Sequence, residues 1–137
     1  MKHKILIVTA HYYKNISKNL FYDAKLVLNK SKVKYETIDV PGVFEIPIVI
    51  VKNIKKYDGF VALGCVIKGE TPHFDFISKT TIETIMRISV ESKKPIGNGI
   101  LTCINIDQAN VRSDPEGTKR KGREAAEAML SVLGFKT

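Results

Sequence analysis

His73 is the side chain in this sequence with the clearest capacity for proton transfer, because imidazole gains and loses protons near neutral pH. It follows the apolar run 59–67, which predicts a buried strand, and a short polar turn. Thr71 and Pro72 predict a helix start, since Thr is a good N-cap and Pro favours the first helical position. Unpaired N–H groups at a helix start bind anions. A proton carrier beside an anion site is typical of an enzyme with a small phosphorylated substrate, and the alternative is an exposed histidine without a function.

Two strand-to-helix turns carry further polar groups. Glu70 and Thr71 place a hydroxyl and backbone N–H groups at the predicted helix start, although capping alone would explain Thr71. In the turn Pro41-Gly42-Val43-Phe44-Glu45, the glycine allows the backbone to approach a ligand closely. Glu45 is either a hydrogen-bond acceptor for ligand hydroxyls or a capping carboxylate. Both turns are therefore predicted to contribute to a ligand site.

Aromatic and cationic residues complete the set of candidate ligand contacts. Tyr12 and Tyr13 follow the first predicted strand, and one of these rings is expected to offer a flat stacking surface for a planar ligand. Arg112 and Lys121 flank a polar loop near the end of the chain. Arginine can hold a phosphate through two donors at once, whereas a solvated surface charge is the alternative for either residue.

Several classes of function are disfavoured by the sequence. It contains no phosphate-binding P-loop, no dinucleotide-binding glycine fingerprint and no Cys/His spacing typical of a metal site. The net charge of +8 invites a nucleic-acid hypothesis, but the basic residues are scattered. The single basic cluster, residues 119–123, has no interleaved aromatic residues and is a poor base-stacking surface. Phosphate transfer from a nucleotide, hydride chemistry, a metal site and a nucleic-acid partner are therefore all disfavoured.

The predicted elements alternate between strand and helix along the chain. Apolar runs at 4–9, 33–40, 60–67 and 96–104 predict strands. Helical spacing of apolar residues predicts a first helix capped by Asn15 or Ser17, and further helices over 44–55, 72–92, near Gln108, and over 120–133 with Gly134 as C-cap. The third of these helices is expected to bury Met86. Alternation of apolar strands with helices predicts a parallel sheet in a three-layer α/β/α sandwich, with strand order 2-1-3-4.

The topology places the candidate residues together. Ligands on open parallel sheets bind beyond the carboxyl ends of the strands. The loops that follow the predicted strands, which carry Tyr12, Glu45, Glu70 and His73, all reach that edge. The sequence therefore predicts one site there, whichever chemistry it performs.

Size and composition predict one cytoplasmic domain. The 137 residues are treated as a single domain, 1–137, large enough for its own core. The start of the chain has no signal-peptide pattern, and the apolar runs are too short to span a bilayer. The two cysteines, Cys65 and Cys103, fall in or beside predicted buried strands and are expected to be reduced core thiols.

Five stretches, in this order, resemble the lumazine synthase family. They are 41–47 (PGVFEIP), 62–75 (ALGCVIKGETPHFD), 99–102 (GILT), Gln108-Ala109 with Arg112, and 121–126 (KGREAA). The resemblance implies a flavodoxin-like fold and the penultimate step of riboflavin biosynthesis. In that reaction, 5-amino-6-(D-ribitylamino)uracil condenses with 3,4-dihydroxy-2-butanone 4-phosphate to give 6,7-dimethyl-8-ribityllumazine, phosphate and water. The family uses no metal and no organic cofactor.

The resemblance also implies a role for each matching residue. Tyr12 would stack on the pyrimidine, and His73 would carry protons. The pyrimidine and ribityl pocket would be lined by Val43, Phe44, Glu45, Cys65, Val66, Ile67 and Asn98. The phosphate of the butanone would be bound by Glu70, Thr71 and Arg112. Lys121 and Glu124 would be supporting polar groups.

This sequence departs from the common family pattern at three places. Asn98 stands where many relatives have Phe, so that wall of the pocket is more polar. Tyr13 stands where a smaller polar residue is usual, which leaves two rings as candidates for stacking. The segment from Arg112 to Lys121 is about one residue longer than usual.

The resemblance implies a homo-oligomer with active sites between the subunits of a pentamer. Some relatives assemble twelve pentamers into a 60-subunit shell, and association with riboflavin synthase is a further implied partnership. The short segment before the first strand and the longer loop before the last helix favour a free pentamer or a decamer over a shell. A binding module that retains a riboflavin-like ligand without turnover is the main alternative to the enzyme, and the presence of both His73 and Arg112 favours catalysis.

Overall fold

The sheet is four-stranded and parallel. A computed structural model describes residues 3–69 and 73–136 of the chain. The strands are β1 Lys4–Ala10, β2 Lys34–Val40, β3 Gly59–Ile67 and β4 Ile96–Cys103. They pair in parallel in the order β2-β1-β3-β4, so the predicted order and the α/β sandwich are confirmed.

Helices cover both faces of the sheet. They are α1 Lys14–Lys30, α2 Ile46–Lys52, α3 Phe74–Ser92, α4 Ile106–Ser113 and α5 Lys121–Leu133, and a 3-10 turn at Val43–Glu45 precedes α2. Helices α1, α4 and α5 pack on one face, whereas α2 and α3 pack on the other. None of the helices in the described part of the chain combines the length and the apolar character that crossing a bilayer requires.

The core consists of one apolar layer on each side of the sheet. Side chains of a strand point to alternate faces. Accordingly, Ile5 and Ile7 lie in the layer under α1, α4 and α5, and Leu6 and Val8 lie in the layer under α2 and α3. Strand β3 is buried along its whole length because it has a strand on either side and helices above and below. This two-sided burial explains why the strands read as continuous apolar runs.

Helix boundaries differ locally from the predicted ones. Helix α1 begins at Lys14 with Tyr13 as N-cap, so the prediction of Asn15 or Ser17 as the cap is wrong. The Ser17 hydroxyl lies inside the helix and hydrogen-bonds to His11 Nδ1 at 2.7 Å instead. At the other end of the chain, the predicted cap Gly134 is confirmed, since it adopts φ +99°.

Helix α3 buries a narrower face than predicted. Ile85 is buried against the sheet, but Met86 is 63% exposed, so the expected burial of Met86 is wrong for a single chain. Neighbouring helix positions are separated by about 100° around the axis, so one helix cannot turn both side chains toward the same sheet. The exposed side of α3 therefore carries apolar surface.

Candidate active site

The loops at the carboxyl end of the sheet lie beside one another. Because β1 and β2 are parallel and in register, Ala10 and Val40 end at the same level. The His11 N–H donates to the Val40 carbonyl at 3.1 Å, which joins the β1–α1 turn to the end of β2. Residues on both turns are thus held at one edge, as the topology predicted.

Tyr12 and Tyr13 have different environments. The Tyr12 side chain is 65% exposed, whereas Tyr13 packs against the core under α1. The two rings meet edge to face, with centroids 4.9 Å apart and an angle of 79° between their planes. The inner ring therefore supports the outer one, and Tyr12 is the ring that can receive a planar ligand.

The turn after β2 is held by its own capping contacts. Glu45 Oε1 accepts a hydrogen bond from the Gly42 N–H at 2.9 Å. This oxygen therefore acts as a capping group, which is the second of the two interpretations given for Glu45. Val43 is buried against Gly64 of β3, where an added Cβ would lie 2.7 Å from Val43 Cγ1. Phe44 points outward and is 61% exposed. The turn is thus rigid, with one aromatic side chain presented at its surface.

The end of β3 contributes a buried wall. Cys65, Val66 and Ile67 are all buried, and alternation places Cys65 under α1 and Val66 under α3. Burial raises the pKa of the Cys65 thiol to about 12, with a smaller effect from Cys103. The thiol is therefore neutral at physiological pH and is not a nucleophile.

His73 lies immediately before α3. It is the N-cap residue of that helix and is exposed, with Phe74 as the first helical residue, so its expected place inside the first turn is wrong. Glu70 and Thr71, expected to bind phosphate, lie outside the described residues, as does Pro72. The imidazole is consequently placed at the helix entrance, accessible to a ligand beyond the sheet edge.

A second group of candidate residues lines a pocket of about 410 Å³ along the free edge of β4. The predicted site residues in this pocket are Asn98, Arg112, Lys121 and Glu124. Thr118 and Lys119 also line it, although the sequence analysis assigned them no role. The available signal was the basic cluster 119–123 at the start of α5, but the sequence could not tell which of its side chains face a pocket.

The cations of this pocket are oriented by local contacts. Arg112 Nη1 donates to Cys103 Sγ at 3.9 Å, and Lys121 Nζ lies 3.3 Å from Glu124 Oε1. Burial raises the pKa of the Cys103 thiol, although Arg112 opposes this shift, so the thiol is neutral. Contact with a neutral thiol orients the guanidinium without cancelling its charge. The pocket therefore suits an anion.

Asn98 is turned toward its own strand. Its Oδ1 accepts a hydrogen bond from the Ile100 N–H at 3.0 Å. Strand β4 is the edge of the sheet, so this side chain satisfies a backbone donor that has no neighbouring strand on that side. The Asn98 side chain is thus held by a hydrogen bond within its own strand.

The candidate residues form two separate groups. We call Tyr12, Val43–Glu45, residues 65–67 and His73 the aromatic half-site, and the pocket with Asn98, Arg112, Lys121 and Glu124 the cationic half-site. Within the described residues, no member of the aromatic half-site lines the cationic pocket. One half-site offers an exposed ring and an imidazole, and the other offers positive charge. A planar ligand and a phosphorylated ligand would match them.

His11 has more partners than the sequence suggested. Its Nε2 lies 3.0 Å from Asp39 Oδ1, and its Nδ1 lies 2.7 Å from the Ser17 hydroxyl. The imidazole is half-buried and has a polar partner at each ring nitrogen. Asp39 comes from β2 and Ser17 from α1, so nothing in the local sequence indicated this contact. The histidine braces the turn that carries Tyr12.

Comparison with known proteins agrees with this arrangement. The family model for 6,7-dimethyl-8-ribityllumazine synthase matches residues 2–137. A protein of that name from Bartonella tribocorum is 44% identical, over 98% of this chain and 91% of that protein. Proteins of the same name from Bartonella bacilliformis and Agrobacterium fabrum are 46% and 41% identical, over 96% and 98% of this chain and 89% and 95% of those proteins. The chain belongs to the 6,7-dimethyl-8-ribityllumazine synthase family.

Proposed function

We propose that this chain condenses 5-amino-6-(D-ribitylamino)uracil with 3,4-dihydroxy-2-butanone 4-phosphate to form 6,7-dimethyl-8-ribityllumazine, a step of riboflavin biosynthesis. Family membership supports the reaction. The observation that carries the proposal in the structure is the cationic pocket with Arg112, Lys119 and Lys121, which suits the phosphate of the second substrate. The exposed ring of Tyr12 suits the uracil.

The aromatic half-site binds the uracil and moves protons. Tyr12 stacks on the pyrimidine, and Phe44 covers the ribityl chain beside the Val43 and Glu45 backbone. The buried residues 65–67 form the wall behind the ring. His73 exchanges protons with the reacting amine and carbonyl, which requires an accessible imidazole such as the one at the start of α3.

The cationic half-site binds the phosphorylated ketone. Arg112 holds the phosphate through parallel N–H donors, together with Glu70 and Thr71, which precede α3 in the sequence. Lys121 adds positive charge, and Glu124 keeps the lysine ammonium in place at 3.3 Å. Asn98 lines the pocket through its backbone, because its side chain is bonded to the neighbouring Ile100 N–H.

The reaction proceeds by attack of the uracil amine on the ketone and loss of water to give an imine. Elimination of phosphate follows, and ring closure releases a second water. Each step needs proton transfer, which His73 provides, and stabilisation of the departing phosphate, which the cations provide. Binding both substrates side by side lowers the entropic cost of their encounter.

The two half-sites meet between subunits in this proposal. Within the described residues, no member of the aromatic half-site lines the cationic pocket. The region around the β4 edge exposes the apolar side chains of Met86, Val90 and Val132. Exposed apolar surface of this kind is typical of a protein interface. We propose a pentamer in which one subunit supplies Tyr12 and His73 and its neighbour supplies Arg112 and Lys121, with a free pentamer or decamer favoured over a shell.

The proposed activity is tested by mixing the purified protein with both substrates and following lumazine absorbance, with release of inorganic phosphate measured in parallel. Equal amounts of lumazine and phosphate are expected, and none of either when the aminouracil is omitted. A protein that binds the aminouracil or a riboflavin-like ligand but forms no lumazine at saturating substrate would contradict catalysis. That result would support the binding-module alternative.

A further inference from the structure

An ion pair between a buried carboxylate and a partly exposed guanidinium lies behind the cationic half-site. Asp23 on α1 is 1% exposed. Its carboxylate accepts two hydrogen bonds from Arg120, at 2.9 Å from Nη2 and 3.3 Å from Nε. The partners are 97 residues apart in sequence, so the pair joins the beginning of the chain to its last loop. A two-point arginine–carboxylate contact fixes the orientation of the guanidinium as well as its position.

Arg120 stands between two lysines of the cationic pocket. It is the N-cap residue of α5. Lys119 and Lys121 both line the pocket with Arg112, whereas the side chain of Arg120 turns away to Asp23. Holding Arg120 therefore sets where the two neighbouring ammonium groups lie.

The next residue holds the same end of α5 against α1. A Cβ added at Gly122 would lie 2.2 Å from the Leu20 carbonyl oxygen, so the backbones touch at this point. Leu20 is three residues before Asp23, on the same side of α1. The start of α5 is thus attached to α1 by a backbone contact and by the ion pair, one on each side of Lys121.

The ion pair is better explained by positioning than by stability. Burying the Asp23 carboxylate costs desolvation energy that its attraction to the partly exposed Arg120 often only offsets, and apolar replacements of buried pairs are frequently neutral. The pair Arg123–Glu127, one turn further along α5, is more exposed and lacks this cost. The buried carboxylate of Asp23 therefore contributes little to the stability of α5, but it fixes the position of the loop before that helix.

We infer that Asp23 and Arg120 are positioning residues that hold Lys119 and Lys121 in the cationic pocket for the phosphate of the substrate. The inference rests on the proposed function, because that phosphate is the anion it requires. Neither residue touches the substrate. Both act through the position of the loop that precedes α5.

Steady-state kinetics with each substrate varied in turn test the inference. In Asp23→Asn the KM for the butanone phosphate is expected to rise about fivefold to twentyfold, with kcat and the KM for the aminouracil within about twofold of the parent. Arg120→Lys keeps the charge but loses the two-point contact, so a smaller rise is expected. Glu127→Gln breaks the exposed pair on the same helix and is the matched control, with parental kinetics expected.

A second variant separates positioning from folding. Asp23→Leu combined with Arg120→Met removes both charges and leaves no unpaired buried group, so the protein is expected to fold, as circular dichroism would show. The same rise in the KM for the butanone phosphate is expected. The inference is overturned if this KM stays parental in the folded variants, if the KM values of both substrates rise equally, or if neither variant folds.

Titration with inorganic phosphate separates failure of the inference from failure of the proposed function. If the parent makes no lumazine, the proposed activity is wrong, yet phosphate binding followed by 31P NMR still reports on the pocket. The double variant is expected to bind inorganic phosphate about fivefold more weakly than the parent and than Glu127→Gln. Equal phosphate affinity in the parent and the double variant overturns the inference.

Discussion

In the proposed mechanism His73 transfers protons and Arg112 binds phosphate, and the two residues lie in different half-sites. The imidazole stands exposed at the start of α3, whereas the guanidinium lies in the pocket beside β4, against the Cys103 thiol. A residue that transfers protons affects the rate at which bound substrates react, whereas a residue that binds phosphate affects how tightly the substrate binds. Substitutions at these two positions should therefore change different kinetic constants.

His73→Ala is expected to lower kcat about tenfold to a hundredfold without abolishing the reaction, because the remaining residues still hold both substrates together. The KM for either substrate should change little. Lumazine formation at saturating substrate measures this effect. His3→Gln, at the opposite end of β1, is the control and should match the parent. A kcat unchanged in His73→Ala would remove the histidine from the proposed mechanism.

Arg112→Ala is expected to raise the KM for the butanone phosphate about tenfold to a hundredfold, since a charge-assisted contact to phosphate is lost. The KM for the aminouracil should remain near that of the parent. Arg123→Gln removes an exposed guanidinium from α5 outside the pocket and serves as the comparison. Equal KM values in both variants would show that Arg112 does not bind the phosphate.

At the level of elements, the β2 strand is tied to the loop before β3 by a tyrosine. The Tyr57 hydroxyl donates to Glu36 Oε1 at 2.5 Å, and Lys4 Nζ lies 3.2 Å from the same oxygen. The bond raises the pKa of Tyr57 to about 12 and, with Lys4, lowers the pKa of Glu36. It exists only while the phenol is neutral and the carboxylate is charged.

These shifts predict how Tyr57→Phe changes stability with pH. The contribution of Tyr57 is complete below its unfolded pKa, near 10, and is lost as pH rises toward about 12. The contribution of Glu36 is lost as pH falls through its lowered pKa. The difference in free energy of unfolding between parent and Tyr57→Phe should thus be largest near neutrality and shrink toward both extremes, as urea unfolding would measure.

Tyr35→Phe provides the matched control for this experiment. Tyr35 lies next to Glu36 on β2, but alternation turns it toward the helix α1 side of the sheet. Its substitution should leave the pH dependence of stability unchanged. A constant difference between parent and Tyr57→Phe from acid to alkaline pH would show that the Glu36 contact contributes nothing to stability.

For the whole molecule, assembly and activity are expected to fail together. The 63% exposed Met86 lies in an apolar groove formed by α3, β4 and α5, at the free edge of the sheet. Met86→Lys places a charge where the proposed interface would be dry, so subunits should separate. Light scattering should fall from about five times the 15.3 kDa chain mass to a single chain.

Lumazine formation should fall at least about tenfold in the separated Met86→Lys chains, because Tyr12 and Arg112 would no longer share a site. Circular dichroism should remain parental, since Met86 contributes little to the core of one chain. Leu26→Lys, on the outer side of α1, is the control and should leave mass and activity unchanged. Full activity in monomeric Met86→Lys would contradict a site shared between subunits.

Patterns within short segments were enough to predict the strands, their parallel order and the α/β sandwich. Apolar runs, capping residues and the alternation of elements all act locally, and β3 and Gly134 behave as those patterns indicated. The same patterns predicted that Tyr12, Glu45 and His73 lie at one edge of the sheet.

Contacts between residues far apart in the sequence could not be predicted from such patterns, because the direction of a side chain depends on how the helices pack. The sequence showed a basic cluster at 119–123, but packing of α5 on α1 turned Arg120 inward to Asp23 and left Lys119 and Lys121 in the pocket. Packing likewise gave His11 its partners and, within the described residues, formed the pocket around Arg112 without any member of the aromatic half-site. The sequence around Tyr12 and around Arg112 does not indicate how far apart the two residues lie, because that distance is set by the folded sheet and its edge.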